Sequence, residues 1–188
     1  ISRKISDAFS DTLFAVSNLT EDNLKKEKQS GEIIKTGNTI VDSSLIAYKM
    51  ASKKKREKFS DYALINLHRH ENLNSKERLK KIIDILKIVD INVIWPIHAN
   101  TAHFIEKYGL VGEVKKIKNV KLMSLVDYND FIYFLANCKY IITDGGSIQE
   151  ESLVSKKPCI LLRKRTERQE GLTTGINFLT GLDYNYAK

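Results

Sequence analysis

The amino-acid sequence predicts an α/β protein built on a Rossmann-like parallel sheet with helices on both faces. Beyond the first third of the chain, short apolar runs alternate with segments whose apolar residues repeat at helical spacing. The apolar runs are continuous rather than alternating, which is typical of strands buried on both faces. Polar clusters follow several of these runs, and open α/β sheets bind ligands outside the carboxyl ends of their strands.

The first part of the chain, ahead of the basic run at 53–56, predicts two short strands with a helix between them. Residues 12–16 (TLFAV) form the first strand. The helix begins at Thr20 as its N-cap, carries acids in its first turn and lysines in its last, and stops at Gly31. The segment EIIKTGNTIVD, which starts at Glu32, gives the second strand and a Gly-Asn turn.

Beyond the basic run, which we interpret as a linker, five predicted strands alternate with helices. One helix opens at Ser75, the next ends near Gly109, and a third runs from Asp127 to about Cys138. Pro96 is expected to end the second of these strands, because proline has no N–H to give to a sheet. The strands are predicted at 62–68, 91–98, 121–126, 139–144 and 158–163.

The composition is that of a globular chain long enough to bury a core, with 42% hydrophobic and 29% charged residues among 188. A formal net charge of +8 favours an anionic ligand such as a nucleotide or a nucleotide sugar. The lysines are spread along the chain and are not interleaved with aromatic residues, which argues against a nucleic-acid-binding stripe. We therefore expect no nucleic-acid partner.

The cysteines and the chain start bear on the cellular setting. Cys138 and Cys159 have no metal-binding spacing, and a reduced cytoplasmic protein is the simplest expectation. No apolar stretch approaches the roughly 20 residues needed to cross a bilayer, so no membrane partner is expected. The first residue is Ile1 rather than Met, and we interpret the sequence as a piece of a longer chain.

A glycine pair follows the fourth of these strands, in the segment TDGGSIQEE at 143–151. Gly145 and Gly146 would let a ligand approach the backbone closely, and the N–H groups that open the next helix could hold a phosphate. A carboxylate such as that of Glu151 could then accept hydrogen bonds from ribose hydroxyls. A tight turn in which Ser147 is the N-cap fits the same residues. The spacing alone leaves both interpretations open.

Three further polar segments follow strands. In LHRHEN, strand alternation would place His68 and His70 on one face and Arg69 on the other, unless the loop starts early. An anion site fits this set better than a metal site, which lacks a third ligand, while ordinary surface polarity remains the alternative. A single histidine such as His98, in WPIHAN, is more often structural. The arginine-rich segment RKRTERQEG, from Arg163, is either a diphosphate clamp or an exposed salt-bridged loop.

Together these segments resemble the carboxyl-terminal half of the UDP-N-acetylglucosamine 2-epimerase family. The family's hallmark is a strand ending in Asp-Ser-Gly-Gly-Ile-Gln-Glu-Glu, then Lys-Pro and a strand, then Thr-Glu-Arg-Pro-Glu. Here DGGSIQEE, KKPCILLR and TERQE stand in that order. Upstream, HRHEN is similar to His-Arg-Arg-Glu-Asn, WPIHAN to Tyr-Pro-Val-His-x-Asn, and KTGNTIVD to a Thr-Gly-Asn-Thr segment. The matches keep their order over essentially the whole chain.

The resemblance implies two Rossmann-like domains in a glycosyltransferase-B-like arrangement, with the active site in the cleft between them. Residues 1–39 would be the end of the amino-terminal domain and the hinge. Residues 40–188 would be the UDP-binding domain, without the final helix that returns to the first domain.

The resemblance also implies roles for individual residues, carried over by position. His68 corresponds to a catalytic histidine near the diphosphate, and Arg69 and His98 correspond to residues that line a second, regulatory UDP-sugar site in bacterial members. The backbone at Gly146 and Ser147 would hold the diphosphate, Glu151 the ribose, and Phe131 the uracil. The full implied UDP-binding set is Phe131, Gly145, Gly146, Ser147, Glu151, Thr166 and Arg168.

Three motifs depart from the family pattern. The family's Ser-Gly-Gly becomes Gly145-Gly146-Ser147, so that the side-chain hydroxyl beside the phosphate is either lost or moved by two positions. Gln169 replaces the proline after Thr-Glu-Arg, and His70 replaces the second arginine of His-Arg-Arg-Glu. The changes bear on the sugar more than on the UDP.

The implied reaction is the interconversion of UDP-GlcNAc and UDP-ManNAc, by elimination of UDP to a glycal and its re-addition, in surface-polysaccharide synthesis. No cofactor or metal is implied, and the full-length protein would be a homodimer. Since the family's proton-handling acids lie in the amino-terminal domain, we expect this chain alone to bind UDP without turnover. The alternatives are a hydrolysing epimerase that releases the free sugar, a glycosyltransferase-B enzyme, and a non-catalytic nucleotide-sugar sensor.

Overall fold

The structure is a computed structural model that describes residues 2–55 and 59–183, and for Ser2 it describes the backbone alone. The chain divides into two compact units, with the boundary between Ser43 and Ser44. Helix α3 (Thr39–Ala51) runs across this boundary. The assignment of 1–39 to an amino-terminal domain and hinge, and of 40–188 to a UDP-binding domain, stays a prediction.

The first unit is a small β-α-β arrangement preceded by a helix. Strands β1 (Thr12–Ala15) and β2 (Glu32–Lys35) pair in parallel, with Leu13 opposite Ile33. Leu13, Ala15 and Leu24 form its buried apolar cluster. The helices of this unit are α1 (Ser2–Ala8) and α2 (Asn18–Lys26).

The predicted bounds of α2 are wrong at both ends. The N-cap is Ser17, not Thr20: Ser17 has extended backbone, and its hydroxyl accepts a hydrogen bond from the N–H of Thr20 over 3.2 Å. Serine and threonine are both common N-caps, and the acids that follow Thr20 made it the apparent start of the helix. The helix ends at Lys26, well before Gly31. Gly31 is needed for another reason, because a Cβ there would lie 2.3 Å from the carbonyl oxygen of Ser10.

The second unit is a six-stranded sheet in the order β5-β4-β3-β6-β7-β8, in which every pairing is parallel. The predicted Rossmann-like class is thereby confirmed. The strands are β3 (Tyr62–Asn66), β4 (Asn92–Ile97), β5 (Val120–Ser124), β6 (Tyr140–Thr143), β7 (Cys159–Leu161) and β8 (Asn177–Leu179). The helices after α3 are α4 (His70–Leu73), α5 (Lys76–Lys87), α6 (Ala99–Lys107), α7 (Val111–Lys115), α8 (Tyr128–Asn137), α9 (Ile148–Val154) and α10 (Glu170–Thr173).

Two apolar clusters cover the two faces of this sheet. Along β3, Ala63 and Ile65 pack with residues of α5 and α6, whereas Leu64 packs with residues of α8. Successive residues of a strand point to opposite faces, so a strand buried on both faces is apolar along nearly its whole length, and here only the final residue, Asn66, is polar. All five residues of β3 are indeed buried, which accounts for the continuous apolar run.

Pro96 does not end its strand, contrary to expectation. Strand β4 continues to Ile97, and Pro96 stands opposite Met123 of β5. The register between β3 and β4 ends at Ile94, so beyond that residue β4 has only β5 as a neighbour. Pro96, which has no N–H to donate, therefore lies in a part of β4 that forms no hydrogen bonds with β3.

The chain between β3 and α4 also differs from the alternation that the sequence suggested. Strand β3 ends at Asn66, so His68 and Arg69 lie in a loop, and His70 begins α4. The short elements α4, α7, α10 and β8 were not predicted, because segments of three to five residues carry too little periodicity to identify. Within the described ranges, none of the helices combines the length and the apolar character needed to span a lipid bilayer.

Candidate functional site

The polar segments named from the sequence meet at the carboxyl ends of β3 and β6, at the centre of the sheet. These two strands are neighbours, with Asn66 opposite Thr143. They also mark the point where the strand order reverses, since β4 and β5 lie on one side and β7 and β8 on the other. Doubly wound sheets bind their ligands at this switch point.

Asp144 joins the two strand ends. Its carboxylate is fully buried and accepts hydrogen bonds from the backbone N–H groups of His68 (3.0 Å) and Arg69 (3.1 Å). The side-chain amide of Asn72 donates a third bond to it over 2.9 Å. A buried carboxylate is stable only with such partners. Asp144 therefore shapes the 67–72 loop and is not free to react.

Asn72 supports the loop after β3. In the sequence it stands out only as the last residue of the motif HRHEN. It is fully buried, and its amide also donates to the carbonyl oxygen of Leu162 at the end of β7. Its Oδ1 accepts from the guanidinium of Arg78, with Nη2 at 2.7 Å. Asn72 thus holds the loop after β3 to the chain that follows β6 and to the chain that follows β7.

The glycine turn leads from β6 into α9. Gly145 is buried, and its N–H donates to the Thr143 hydroxyl over 2.9 Å. A Cβ on Gly145 would lie 2.9 Å from Ile148 Cδ1 and 3.3 Å from His68 Cε1, so the imidazole of His68 lies against this turn. Among the described residues, the N–H groups of Gly146 and Ser147 donate to no other group. They are available to a ligand.

Two guanidinium groups converge on Gly146. A Cβ on this glycine would lie 3.2 Å from Arg69 Nη2 and 3.5 Å from Arg168 Nη1. Within residues 2–55 and 59–183, the Arg69 guanidinium has no hydrogen-bonded or ion-paired partner, whereas that of Arg168 donates to Glu150 Oε2 over 2.9 Å and pairs with Glu167. Arginine forks match the geometry of phosphate oxygens.

Hydrogen bonds tie the arginine-rich loop to α9, although Lys164, Arg165 and Glu167 are exposed and Glu167 forms salt bridges within the loop. The Thr166 hydroxyl donates to Oε1 of the buried Gln149 over 2.6 Å and accepts from the N–H of Arg168 over 3.1 Å. Gln149 in turn donates to the carbonyl oxygen of Gly145 over 2.8 Å. These bonds hold Arg168 over the glycine turn. That position favours the interpretation of the loop as a diphosphate clamp over that of an exposed salt-bridged loop.

Ser147 occupies the N-cap position of α9 without capping it. Its backbone is already helical, with φ −60° and ψ −33°, and its hydroxyl makes no capping hydrogen bond. The capping role weighed for Ser147 is therefore wrong, because a helical backbone at the cap points the hydroxyl away from the following N–H groups. The side chain is exposed.

Glu151 lies buried one turn further along α9, with only 4% of its surface exposed. Burial raises the pKa of this carboxyl to about 6, and the neighbouring Tyr128 hydroxyl offsets part of that rise. The Tyr128 hydroxyl also lies 3.4 Å from the hydroxyl of the buried Ser44. Tyr128, the partner of Glu151, and Ser44, the partner of Tyr128, are residues that the sequence did not single out.

Phe131, the predicted uracil contact, lies on α8 with 9% of its surface exposed. It belongs to the apolar cluster on one face of the sheet. The structure thus gives it a clear packing role, and the uracil contact stays a prediction.

His68 and His98 are joined by the carboxamide of Asn66, which the sequence reasoning missed. Nδ1 of His68 lies 2.9 Å from Asn66 Oδ1, and Nε2 of His98 lies 3.1 Å from Asn66 Nδ2. The two rings are 5.2 Å apart between centroids. Burial, together with the charge of His68, lowers the pKa of His98, and Asp144 acts in the opposite direction. His70 is exposed and stands apart from this pair.

Comparison with known proteins gives one consistent relationship. A family model described as UDP-N-acetylglucosamine 2-epimerase matches residues 1–186. The UDP-N-acetylglucosamine 2-epimerase of Methanocaldococcus jannaschii is 37% identical, over 96% of this chain and 53% of the relative. The UDP-2,3-diacetamido-2,3-dideoxy-D-glucuronate 2-epimerase of Pseudomonas aeruginosa is 34% identical, over 96% of this chain and 51% of the relative.

Solved structures agree with the sequence relatives. The crystal structure of the M. jannaschii UDP-GlcNAc 2-epimerase in complex with UDP-GlcNAc and UDP matches with a TM-score of 0.90 and 36% identity. That match covers 98% of this chain and 54% of the solved one. The chain spans about half the length of the curated relatives it matches.

Proposed function

The chain belongs to the UDP-N-acetylglucosamine 2-epimerase family, and on that premise we propose that its second unit binds the UDP moiety of a UDP-sugar. One observation carries the proposal: the guanidinium groups of Arg69 and Arg168 converge on Gly146, where a Cβ would lie 3.2 and 3.5 Å from them. Two arginines beside free N–H groups form a site for a diphosphate, and glycine keeps the backbone accessible.

With the diphosphate placed beside Gly146, the positions of the ribose and the uracil follow. The diphosphate lies between Arg69, Arg168 and the N–H groups of Gly146 and Ser147, and Thr166 keeps the Arg168 loop closed over it. The ribose hydroxyls bind the carboxylate of Glu151, and the uracil approaches Phe131 on the adjacent helix α8. The close packing of α8 and α9 in one cluster supports this order of contacts.

The reaction is the interconversion of UDP-GlcNAc and UDP-ManNAc by elimination and re-addition of UDP. The charge that develops on the departing diphosphate is stabilised by the two arginines and the glycine-turn N–H groups. His68, which lies against Gly145, is the group able to move a proton at this site. Arg69 and His98 remain our candidates for a second UDP-sugar site. That site would adjoin the first, with Arg69 shared between the two.

Calorimetric titration of the chain with UDP, UMP and uridine tests the binding site. Affinity should fall from UDP to UMP to uridine, because each phosphate removed leaves guanidinium donors unmatched. Arg168→Gln should weaken UDP binding by about tenfold or more, equivalent to about 1.4 kcal/mol. Arg165→Gln, an exposed arginine of the same loop, is the matched control. A folded chain that binds uridine as tightly as UDP, or none of the three, would refute the site.

A chimera tests the reaction. In it, this chain replaces the matching half of the M. jannaschii relative, and the product from UDP-GlcNAc is followed by NMR. We expect UDP-ManNAc from the chimera, and no turnover from the 188-residue chain alone. Free ManNAc with UDP would show a hydrolysing epimerase instead. UDP binding by the same chimera reports whether it is folded.

We also infer that the whole protein acts in the cytoplasm as a homodimer and supplies a nucleotide sugar for surface-polysaccharide synthesis. The family resemblance supports this setting, and the two buried free cysteines are compatible with a reducing compartment. Sedimentation of the full-length protein would test the dimer, and fractionation of cells would test the location.

A further inference from the structure

Asn66 stands at the end of β3 with its carboxamide between two imidazole rings. Only 6% of its surface is exposed, so solvent cannot readily replace the two contacts. Its Oδ1 is 2.9 Å from Nδ1 of His68, and its Nδ2 is 3.1 Å from Nε2 of His98. The residues come from two adjacent strand ends, after β3 and after β4.

A carboxamide has one accepting side and one donating side. The ring nitrogen that faces Oδ1 must therefore carry a proton, and the ring nitrogen that faces Nδ2 must not. Whichever way the amide is turned, only one of the two facing nitrogens is protonated while both bonds are kept. Asn66 thereby makes the proton positions of His68 and His98 depend on each other.

Asp144 determines which way the amide turns. Its Oδ1 lies 3.7 Å from Nδ1 of His68, and a carboxylate favours a proton on the nitrogen it faces. Burial and the charge of His68 lower the pKa of His98, which suits a neutral ring that accepts a hydrogen bond at Nε2. Asn66 thus contacts both rings, and Asp144 lies beside the ring of His68.

We propose that Asn66 is a positioning residue that holds His68 with its proton on Nδ1 and holds His98 with Nε2 unprotonated. In neutral His68, Nε2 is then the proton acceptor at the glycine turn. A proton gained at Nε2 of His98 would turn the amide over, so that Nδ2 faces His68 and the His68 proton moves to Nε2. The state of the ring proposed for the second UDP-sugar site is thus transmitted to the ring proposed for catalysis. The inference rests on the proposed function only for these two roles.

Nitrogen-15 NMR of the histidine rings in the intact chain tests the proposal, because protonated and unprotonated ring nitrogens have distinct chemical shifts. We expect His68 to be protonated at Nδ1 and His98 to be unprotonated at Nε2. The opposite arrangement, or rings that exchange freely between tautomers, would overturn it. This measurement needs no variant.

Two variants of Asn66 extend the test. Asn66→Asp replaces the amide with acceptors only, so Nε2 of His98 should shift to the protonated range while Nδ1 of His68 stays protonated. Asn66→Leu should release His98 into mixed tautomers, while Asp144 keeps Nδ1 the favoured proton site of His68. Asn92→Asp, an exposed position at the start of β4, is the matched control and should leave both rings unchanged. An unchanged tautomer of His98 in both folded Asn66 variants would refute the coupling.

UDP titration of the same samples separates this inference from the proposed function. If the tautomers behave as expected but UDP does not bind, the coupling by Asn66 stands and the proposed site is wrong. If UDP binds but the ring nitrogens ignore Asn66, the site stands and Asn66 has no positioning role.

Discussion

The carboxylate of Asp144 accepts a hydrogen bond from the backbone N–H of His68 over 3.0 Å, although 76 residues separate the two in the sequence. This bond, with those from Arg69 and Asn72, holds the histidine loop onto the glycine turn. One buried side chain therefore holds together two of the three segments that carry the proposed site.

Replacing Asp144 should loosen this junction. In Asp144→Asn, one side-chain oxygen becomes an NH₂ group that faces a donor, so one buried N–H loses its acceptor. We expect unfolding free energy to fall by about 1–3 kcal/mol in urea titrations, together with weaker UDP binding. Asp90→Asn, at an exposed position in the same unit, should change stability by less than about 0.5 kcal/mol. Equal effects of the two substitutions would contradict this role.

Gly146→Ala should separate binding from folding. The added Cβ would enter the space between Arg69 and Arg168, which the diphosphate is proposed to occupy, so UDP affinity should fall at least about tenfold. The nearest group is the flexible end of Arg69, so thermal stability should stay close to the parent value. Gly112→Ala, in α7 with no atom within 4 Å of the added Cβ, is the control for calorimetry and melting. Unaltered UDP affinity in Gly146→Ala would be inconsistent with a phosphate at this turn.

Glu151→Gln should stabilise the fold while weakening ribose binding. Burial raises the folded-state pKa of Glu151 from 4.5 to about 6, so the folded protein holds this proton more tightly than the unfolded chain. The free energy of unfolding should then fall as pH rises from 4.5 to 6. Above that range the loss of stability from ionising the buried carboxyl is complete. The variant should be more stable than the parent by up to about 2 kcal/mol at neutral pH, with no difference below pH 4.5. Urea titrations at several pH values measure the difference, and a constant offset would argue against an ionised Glu151.

Ser147→Ala should change little. The hydroxyl is exposed and caps nothing, so only the backbone N–H is proposed to meet the phosphate. We expect UDP affinity within about twofold of the parent, a difference below about 0.5 kcal/mol. A large loss in calorimetry would instead mean that the displaced hydroxyl reaches the phosphate from its new position.

Gly171→Ala should destabilise the second unit. A Cβ there would lie 1.9 Å from Nδ2 of Asn177, a buried side chain that donates to the carbonyl oxygen of Gln149 and bonds Ser152. We expect a loss of about 1–3 kcal/mol in unfolding free energy. In a double-mutant cycle, Asn177→Ala should relieve part of this loss, because the two side chains compete for one space. Simple additivity would contradict the clash.

Much of the fold could be predicted because it rests on local patterns. Continuous apolar runs such as that of β3 identify buried strands. The residue types of Ser75 and Asp127, which are common N-caps, predict the starts of helices α5 and α8. The sequence also placed the polar clusters after the strands and carried the family resemblance. It could not choose between Ser17 and Thr20, nor find a strand as short as β8, because several starting points fit equally well.

The sequence by itself determined the parallel α/β architecture, the glycine turn and the identity of the residues around it. Only the tertiary structure decided which of them meet. The convergence of Arg69 and Arg168 on Gly146 joins three segments of the chain, and the bridge from Asn66 to His98 joins two strand ends. These contacts depend on the order of strands in the sheet and on the directions of buried hydrogen bonds. Neither the strand order nor the direction of a buried hydrogen bond can be predicted from the spacing of residues along one chain.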